Sequence, residues 1–467
     1  MKTAAEWGKE RGSTQKDLDW EFGKIIALPG RPLSGMAVVL VQDGETVYEG
    51  HFGARRFLTS CEGALEHEGA LKHEGALEPK GAFEPVDRET RWRSASLSKP
   101  FTTLGVLHLV EEGKIGLDKD VSYYLGYPLR NPSFPEKAIT LRMLLSHTSS
   151  LRDANFYYPP LGHQLWELFL PQGRHYQDGA HFAKPRSDRD LSPGAAYSYC
   201  NLGYALVGEI IEKVTGRRFD LYMRDTLFGP LGIDGGFNPL LVSDRHFADI
   251  CPLYRKQKDE DSPWDPQGPW YPQIDNYNGK RPALAVRLPP QDELDAGPGK
   301  SRQVGSAPSL DNYQIGTNGA LFSPQGGMYV CAHDLARLML LFLNDGVSGR
   351  RLFEASTIDS MLTPVWSLDL ERKNYDPMEE SEPRTRDFGL GLYRGEGPDG
   401  GPGLWGHHGD AYGFLGGMYF DRSRRSGYVY QIGGTGADPA QNRGERSRLF
   451  IWDEKVRSLA EAALGLG

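Results

Sequence analysis

Apolar and polar positions change rhythm several times along this chain, and each change marks an element. In "GMAVVLVQDGETVYEGHFG" (35–53) an apolar run breaks at Asp43-Gly44 and then resumes, which predicts two strands joined by a tight D-G turn. The stretch "FTTLGVLHLVEEG" sets Leu104, Leu107 and Val110 at helical spacing and stops at Gly113, so a helix is expected from Ser96 or Leu97 to about Glu112. "NLGYALVGEIIEKVTG" (201–216) is strongly amphipathic and closes on a glycine, which predicts another helix. Helices are also expected over 14–28, in "ITLRMLLSHTSSL" (139–151) up to its Ser-rich turn, from about His333 to Leu343, and in the terminal "ERSRLFIWDEKVRSLAEAAL". Within 386–434, "DFGLGLYRGEG", "GLWGHHGDAYGFLGGMYFD" and "SGYVYQIGG" read as strands.

Two stretches fall outside these rhythms. "EGALEH", "EGALKH", "EGALEP" and "KGAFEP" repeat every six residues from Glu62 to Pro85, and four short units are too few to stack into a solenoid. The expectation is a low-complexity surface loop at about 54–88, inserted after the hairpin. His67 and His73 owe their spacing to the repeat and are not taken as metal ligands. Residues 235–312 are rich in Pro, Gly and Trp with weak periodicity, too long for an ordinary connection, and read as a lid-like insertion. Its aromatics (Trp264, Trp270, Tyr271, Tyr277) either line a pocket or pack on the body. Both chain ends supply strands and helices around a mainly helical middle. This order predicts an α+β fold, an antiparallel sheet flanked by helices, with 1–467 read as a single domain.

Composition narrows the picture by exclusion. Hydrophobic residues make up 39% of the chain, with 57 glycines and 32 prolines, which fits a globular core with long loops. The net charge of −9 and the lack of a basic run argue against nucleic acid as a partner. No run of about 18 apolar residues occurs to span a membrane, and "MKTAAEWGKERGSTQKDLDWEFGKII" has no apolar core after its charges, so a cytoplasmic location is expected. Cys61, Cys200, Cys251 and Cys331 form no C-x-x-C, so neither structural zinc nor a disulfide framework is expected, and no cofactor or metal is implied.

Candidate chemistry begins in "RSASLSKPFTT" (93–103). Pro100 is tolerated in a first helical turn, which puts Ser96 at a helix N-terminus and Lys99 one turn on, on the same side. A hydroxyl beside an amine at a helix start is the layout of an activated nucleophile; a capping serine with a solvated lysine is the other reading. Tyr199 and Asn201 stand just before the helix at 201–216, either pointing into one site or serving as packed aromatic and N-cap. His407, His408 and Gly409 lie in a predicted strand, where adjacent histidines face opposite ways, so a shared metal is disfavoured.

The order S-x-S-K, Y-x-N, H-x-G resembles the serine β-lactamase and penicillin-binding-protein-like family, more specifically its class C β-lactamase-related esterases and D-peptidases. "RSASLSKPFTTLGVLHLVEEGKIGLDKDV", "ITLRMLLSHTSSL", "YSYCNLGYALVGEIIEKVTG" and "GGMYVCAHDLARLMLLFL" carry the resemblance over most of the chain outside 54–88 and 235–312. It implies a β-lactamase/transpeptidase-like fold and a serine hydrolase with a covalent acyl-serine intermediate. Ser96 would be the nucleophile, Lys99 the base, and Tyr199 a phenolate held by Lys99 and, if it is charged, by His407. Asn201, His408 and Gly409 would contact substrate, and the backbone N–H groups of Ser96 and Asp410 would form the oxyanion hole. Histidine stands where related β-lactamases and peptidases usually carry lysine, which tilts the expectation toward a carboxylesterase or peptidase acting on neutral esters or amides. His408 departs from the family's small residue and is expected to narrow the site edge. Asp410 is expected to turn its carboxylate away. The alternatives are a β-lactamase or D-alanyl-D-alanine carboxypeptidase, and an acyltransferase or non-catalytic binding protein on the same fold. In each enzyme reading the partner is a small ester, amide or peptide; the oligomeric state stays open.

Overall fold

Strand β1 (Gly35–Gln42) is buried at every residue but the last, which is why its sequence does not alternate. Met36, Val38 and Leu40 face one apolar core and Ala37, Val39 and Val41 the other, so the sheet is covered on both sides. The structure is a computed structural model that describes residues 15–58, 83–154, 157–282, 310, 313–377, 385–396, 402–445, 447 and 449–466.

β1 turns at Asp43-Gly44, both at positive φ (54° and 85°), into β2 (Glu45–Phe57), as the D-G signal predicts. The short β3 (Phe83–Pro85) pairs with the end of β2. The hairpin therefore runs further than the expected start of the insertion at 54. Residues 59–82, with His67 and His73, lie outside the described residues. β4 (Trp366–Ser367), β5 (Asp387–Phe388), β6 (Tyr393–Glu396), β7 (Pro402–Ala411), β8 (Phe414–Asp421) and β9 (Ser426–Ile432) complete one sheet in the order β4-β5-β6-β7-β8-β9-β1-β2-β3. Each neighbouring pair is antiparallel. Chain ends thus meet at the sheet's centre, where β9 lies beside β1 with Val39 opposite Val429.

One face is covered by α1 (Gln15–Ile26) and the C-terminal helix (Ile451–Leu464), whose Phe22, Ile25, Trp452 and Val456 are buried. The other carries the helical region. There α2 (Lys99–Glu111) is buried almost all round, as expected of a helix at the centre of a core, and its Phe101 lies 6.2 Å from Phe342 of α4 (Ala332–Leu343). The helix α3 (Asn201–Thr215) packs on α2 and ends at Gly216, φ 66°.

Two expectations change in detail. The helix within 139–151 is only Leu141–Leu145, capped by the Thr140 hydroxyl. His147 and Ser150 take left-handed backbone (φ 57° and 64°), which a helix cannot continue through. In 235–312 the described part is fastened to the body. Leu253–Arg255 pairs with Gly434–Thr435 and with Tyr271–Ile274, Trp270 stacks on Phe57 at 6.0 Å, and Arg93 grips Asp275 through two bonds of 2.9 Å. Residues 283–309 lie outside the described residues. Among the described residues no helix is long and apolar enough to cross a membrane.

Candidate active site

Ser96 sits in a 3-10 turn, Ala95–Ser98, that leads into α2. Ser98 locks the turn: its hydroxyl donates to Ala95 O at 2.7 Å and accepts from Met328 N–H at 3.0 Å. Ala95 takes a positive φ of 45°, which lets the chain bend sharply from Trp92–Arg93 into the helix. The nucleophile candidate is therefore held by backbone on two sides, while its own hydroxyl stays partly accessible.

Lys99 is fully buried. Its Nζ lies 2.9 Å from Ser96 Oγ, 2.8 Å from Asn201 Oδ1 and 3.0 Å from Gln325 O. The last two are carbonyl oxygens and accept only, so they claim two N–H bonds of the amine. The third direction of Nζ points at the serine. Burial pushes the Lys99 pKa down to about 7, against the pull of the Asp153 carboxylate. A neutral Lys99 would thus present its lone pair to the Ser96 hydroxyl.

Tyr199 donates its phenol O–H to Ser96 Oγ at 2.7 Å. Its ring lies 4.4 Å from that of His147, tilted by 32°, and 4.7 Å from Lys99 Nζ. Burial pushes the phenol well above its usual range, although the Ser96 bond opposes this. The resting site therefore holds a protonated Tyr199 and a readily neutralised Lys99, the reverse of the phenolate expected from the sequence.

His407 does not carry the positive charge that would help to hold a phenolate. It is buried on the face of β7 toward Lys99, and burial, reinforced by Lys99, pushes its pKa down to about 3. Its Nδ1 faces the His408 carbonyl at 2.6 Å, so Nδ1 carries the proton and Nε2 the lone pair. Among the described residues no hydrogen bond joins His407 to Ser96, Lys99 or Tyr199, and Nε2 has no partner. The neutral imidazole is enclosed by Phe388 and Tyr393.

His408 is corrected too. It turns away from the Ser96 cluster to the opposite face of β7 and pairs with Asp453 of the C-terminal helix, Nε2 to Oδ2 3.3 Å. Burial opposes charge on His408, but Asp453 outweighs it and holds the imidazole above its ordinary value. Asp410 shares His408's face by strand alternation and is exposed, so its carboxylate points away from the nucleophile turn. Gly409 faces that turn closely; a Cβ there would lie 2.8 Å from Ser94 O and 3.3 Å from Leu97 Cγ. Pairing of β7 with β6 reaches only to Gly406, which leaves the 407–411 edge of β7 open beside Ala95–Ser98.

Asn201 is not the N-cap, and one of its two Nδ2 hydrogens is given to Asp153. It is the first residue of α3, and Cys200 occupies the cap position without a side-chain bond. Asp153 supplies the cap: Oδ2 accepts from Asn201 N–H at 2.9 Å and from Asn201 Nδ2 at 2.7 Å, and Oδ1 from Leu202 N–H at 2.8 Å. Asp153, His147 and Gln325 are the parts that sequence reasoning missed. His147 accepts the Cys200 N–H at 3.0 Å, which fixes the chain just after Tyr199. It lies inside "LLSHTSSL", a stretch that carries the family resemblance; nothing in the sequence marked Asp153 or the Gln325 carbonyl.

The chain is similar to known proteins. The family model described as Beta-lactamase matches residues 24–449. Penicillin-binding protein 4 of Amycolatopsis lactamdurans is 32% identical over 151 residues, 32% of this chain and 36% of that protein. The matched stretch spans about a third of the length of such curated relatives. Among solved structures, a D-stereospecific amidohydrolase from Streptomyces sp. aligns with a TM-score of 0.54 at 18% identity, covering 97% of this chain and 98% of its own. EstCE1, a hydrolase with promiscuous acyltransferase activity, aligns with a TM-score of 0.55 at 19% identity over 97% and 99%. At these identities the two structures speak to the fold: an antiparallel sheet with helices on both faces, β-lactamase/transpeptidase-like.

Proposed function

Because the chain belongs to the beta-lactamase family, we propose that it is a serine hydrolase working through an acyl group on Ser96, with neutral esters or amides as its substrates. One observation carries the reading: Ser96 Oγ lies between Lys99 Nζ at 2.9 Å and Tyr199 OH at 2.7 Å, one a base near neutrality and the other a proton donor.

The steps follow from these proton positions. Neutral Lys99 takes the Ser96 proton as Oγ attacks the carbonyl carbon. Charge on the carbonyl oxygen is met by the backbone N–H groups of Ser96 and Asp410, each such donor contributing about 3–4 kcal/mol. Tyr199 gives its proton to the leaving group, and Lys99, now charged, restores it. Water then attacks the acyl-serine by the same route reversed, with Lys99 as base. Asn201 acts here by holding Lys99, and its second Nδ2 hydrogen is available to an acyl amide.

A neutral His407 holds a substrate carboxylate weakly, which supports neutral substrates over carboxylated ones. Hydrolysis of β-lactams or D-amino-acid peptides is the second reading, supported by the penicillin-binding name of the Amycolatopsis relative. Transfer to an acceptor other than water is supported by the promiscuous acyltransferase activity ascribed to EstCE1. The same reading takes 1–467 as one catalytic domain, with 235–312 an insertion on it. A fluorophosphonate probe, with peptide mapping of the adduct, tests the core claim: labelling at Ser96 is expected, and labelling elsewhere or none overturns it. A panel of p-nitrophenyl esters, nitrocefin and D-amino-acid anilides then ranks the substrate classes.

A further inference from the structure

Residues 157–181 form a loop-rich excursion whose flanks are tied by a bridge between Leu151 and Phe182. It opens with a 3-10 turn, Leu165–Leu168, in which Glu167 Oε1 accepts the Gln164 N–H at 2.9 Å. That bond leaves Oε2 unspent, and Oε2 lies 3.5 Å from His163 Nδ1. From another side His175 Nε2 approaches the same Nδ1 to 3.2 Å. The three ligand atoms all lie within 4.8 Å of one another.

Two imidazole nitrogens facing each other share at most one proton, so one ring donates to the other here; with both protons on the far ring nitrogens the same two atoms turn lone pairs toward one point. As ligand geometry the distances are good. Bonds of about 2.0–2.1 Å to a tetrahedral ion put neighbouring donors about 3.3–3.4 Å apart, and the observed 3.2 Å and 3.5 Å bracket that edge.

We propose that His163, Glu167 and His175 bind one divalent transition-metal ion of the zinc class, with water in a fourth position. Two imidazoles and one carboxylate favour Zn²⁺, Co²⁺ or Ni²⁺ over Mg²⁺ and Ca²⁺, which take oxygen. The ion staples a segment with little regular structure of its own. The far end of that segment is joined to the residue before Asp153, because Arg152 N–H donates to His181 O at 2.9 Å. The site shares no ligand with the Ser96 cluster, so the inference stands apart from the hydrolase reading. Its ligands match no familiar spacing string, which is why the sequence carried no sign of it.

Tag-free protein stripped by a chelator and titrated with Co²⁺ provides the test. Expected are visible d–d bands of tetrahedral Co²⁺ that saturate at one ion per chain and are bleached by Zn²⁺. Zn²⁺ should also raise the Tm. Glu167→Gln keeps a carbonyl acceptor for the Gln164 N–H, so its fold should survive while the bands are lost; His175→Ala should lose them too. Absence of saturable binding by the wild type, or saturable binding undiminished in both variants, overturns the proposal. Diethylpyrocarbonate footprinting of the wild type decides without any variant: Zn²⁺ protecting His163 and His175 supports the site, and protection only at other histidines refutes it.

Discussion

Asp153 holds Asn201 twice with a single carboxylate oxygen, at the backbone N–H and at Nδ2, and Asn201 in turn offers Oδ1 to Lys99. One carboxylate therefore caps α3 and aims the amide that positions the base. Its charge also pulls the Lys99 pKa upward against burial. Asp153→Ala should slow acylation on the order of a hundredfold, the scale of a small misplacement of reacting groups. A merely structural role would leave the pH profile in place. Removing the charge should instead move the acid limb of kcat/KM to lower pH, which stopped-flow hydrolysis of an activated ester measures.

The wild-type pH profile follows from Lys99 itself. Its free-enzyme pKa of about 7 means that below this pH the amine is charged and cannot take the Ser96 proton. The ratio kcat/KM should rise with pH and level off above about 7. No second limb should arise from His407, which burial keeps neutral from about pH 3 upward. The linkage sign agrees: the unfolded lysine, ordinary pKa about 10.4, binds more protons than the folded one between about 7 and 10.4, so this group's contribution to stability grows across that window. A flat profile between pH 5 and 9 would rule out Lys99 as the base.

Proton traffic at Ser96 can be taken apart by substitution. Ser96→Ala should abolish turnover and fluorophosphonate labelling while the circular dichroism spectrum is unchanged. Lys99→Ala and Tyr199→Phe should each cost on the order of a hundredfold or more, as for a lost base or acid. Tyr199→Phe is the more telling, because a phenol that only donates to the leaving group matters least for esters with good leaving groups. Its deficit should shrink from alkyl to p-nitrophenyl esters; an equal deficit for both would return the tyrosine to the role of base.

Much of this site is legible in the sequence because its parts are local. The spacing of Ser96 and Lys99 needs only the start of one helix, and Tyr199 and Asn201 stand at the start of another. The hairpin, the longer helices and β5 to β9 announce themselves through periodicity and turn residues; β3 and β4, two or three residues each, do not, and the helix at 141–145 is cut short by left-handed His147. What stays hidden depends on long-range meeting. Asp153 reaches across 48 residues to Asn201, and the Gln325 carbonyl across 226 to Lys99. Protonation escapes the sequence for the same reason: burial, a property of the assembled core, neutralises His407 and keeps the proton on Tyr199.

Behind the site, His408 and Asp453 join β7 to the C-terminal helix, and Tyr430 also donates to Asp453, at 2.7 Å. Asp453→Ala should cost about 3–5 kcal/mol, the scale of a buried pair deprived of one partner. Because His408 is held above its ordinary value, the pair's contribution is full below about pH 6.5 and is lost as pH rises through the folded-state value. Urea denaturation of the wild type and variant at pH 6 and pH 9 checks this: the gap should narrow at the higher pH. A gap that widens would mean the imidazole is neutral in the fold.

Gly409 sets how near β7 comes to the nucleophile turn. A Cβ at this position would meet a backbone oxygen, that of Ser94, at 2.8 Å, and the buried Leu97 at 3.3 Å, neither of which yields cheaply. Gly409→Ala should therefore push the strand away from Ala95–Ser98 by a few tenths of an ångström. The backbone N–H of Asp410 next along moves with it, out of register with the N–H of Ser96. Loss of one oxyanion donor costs about 10²–10³ in kcat, whereas overpacking alone costs about 1–3 kcal/mol of stability. Turnover should fall by at least tenfold at a temperature where the variant is fully folded by near-UV circular dichroism, with KM little changed. A variant that loses stability and keeps its kcat would show that the open edge of β7 takes no part in stabilising charge on the substrate oxygen.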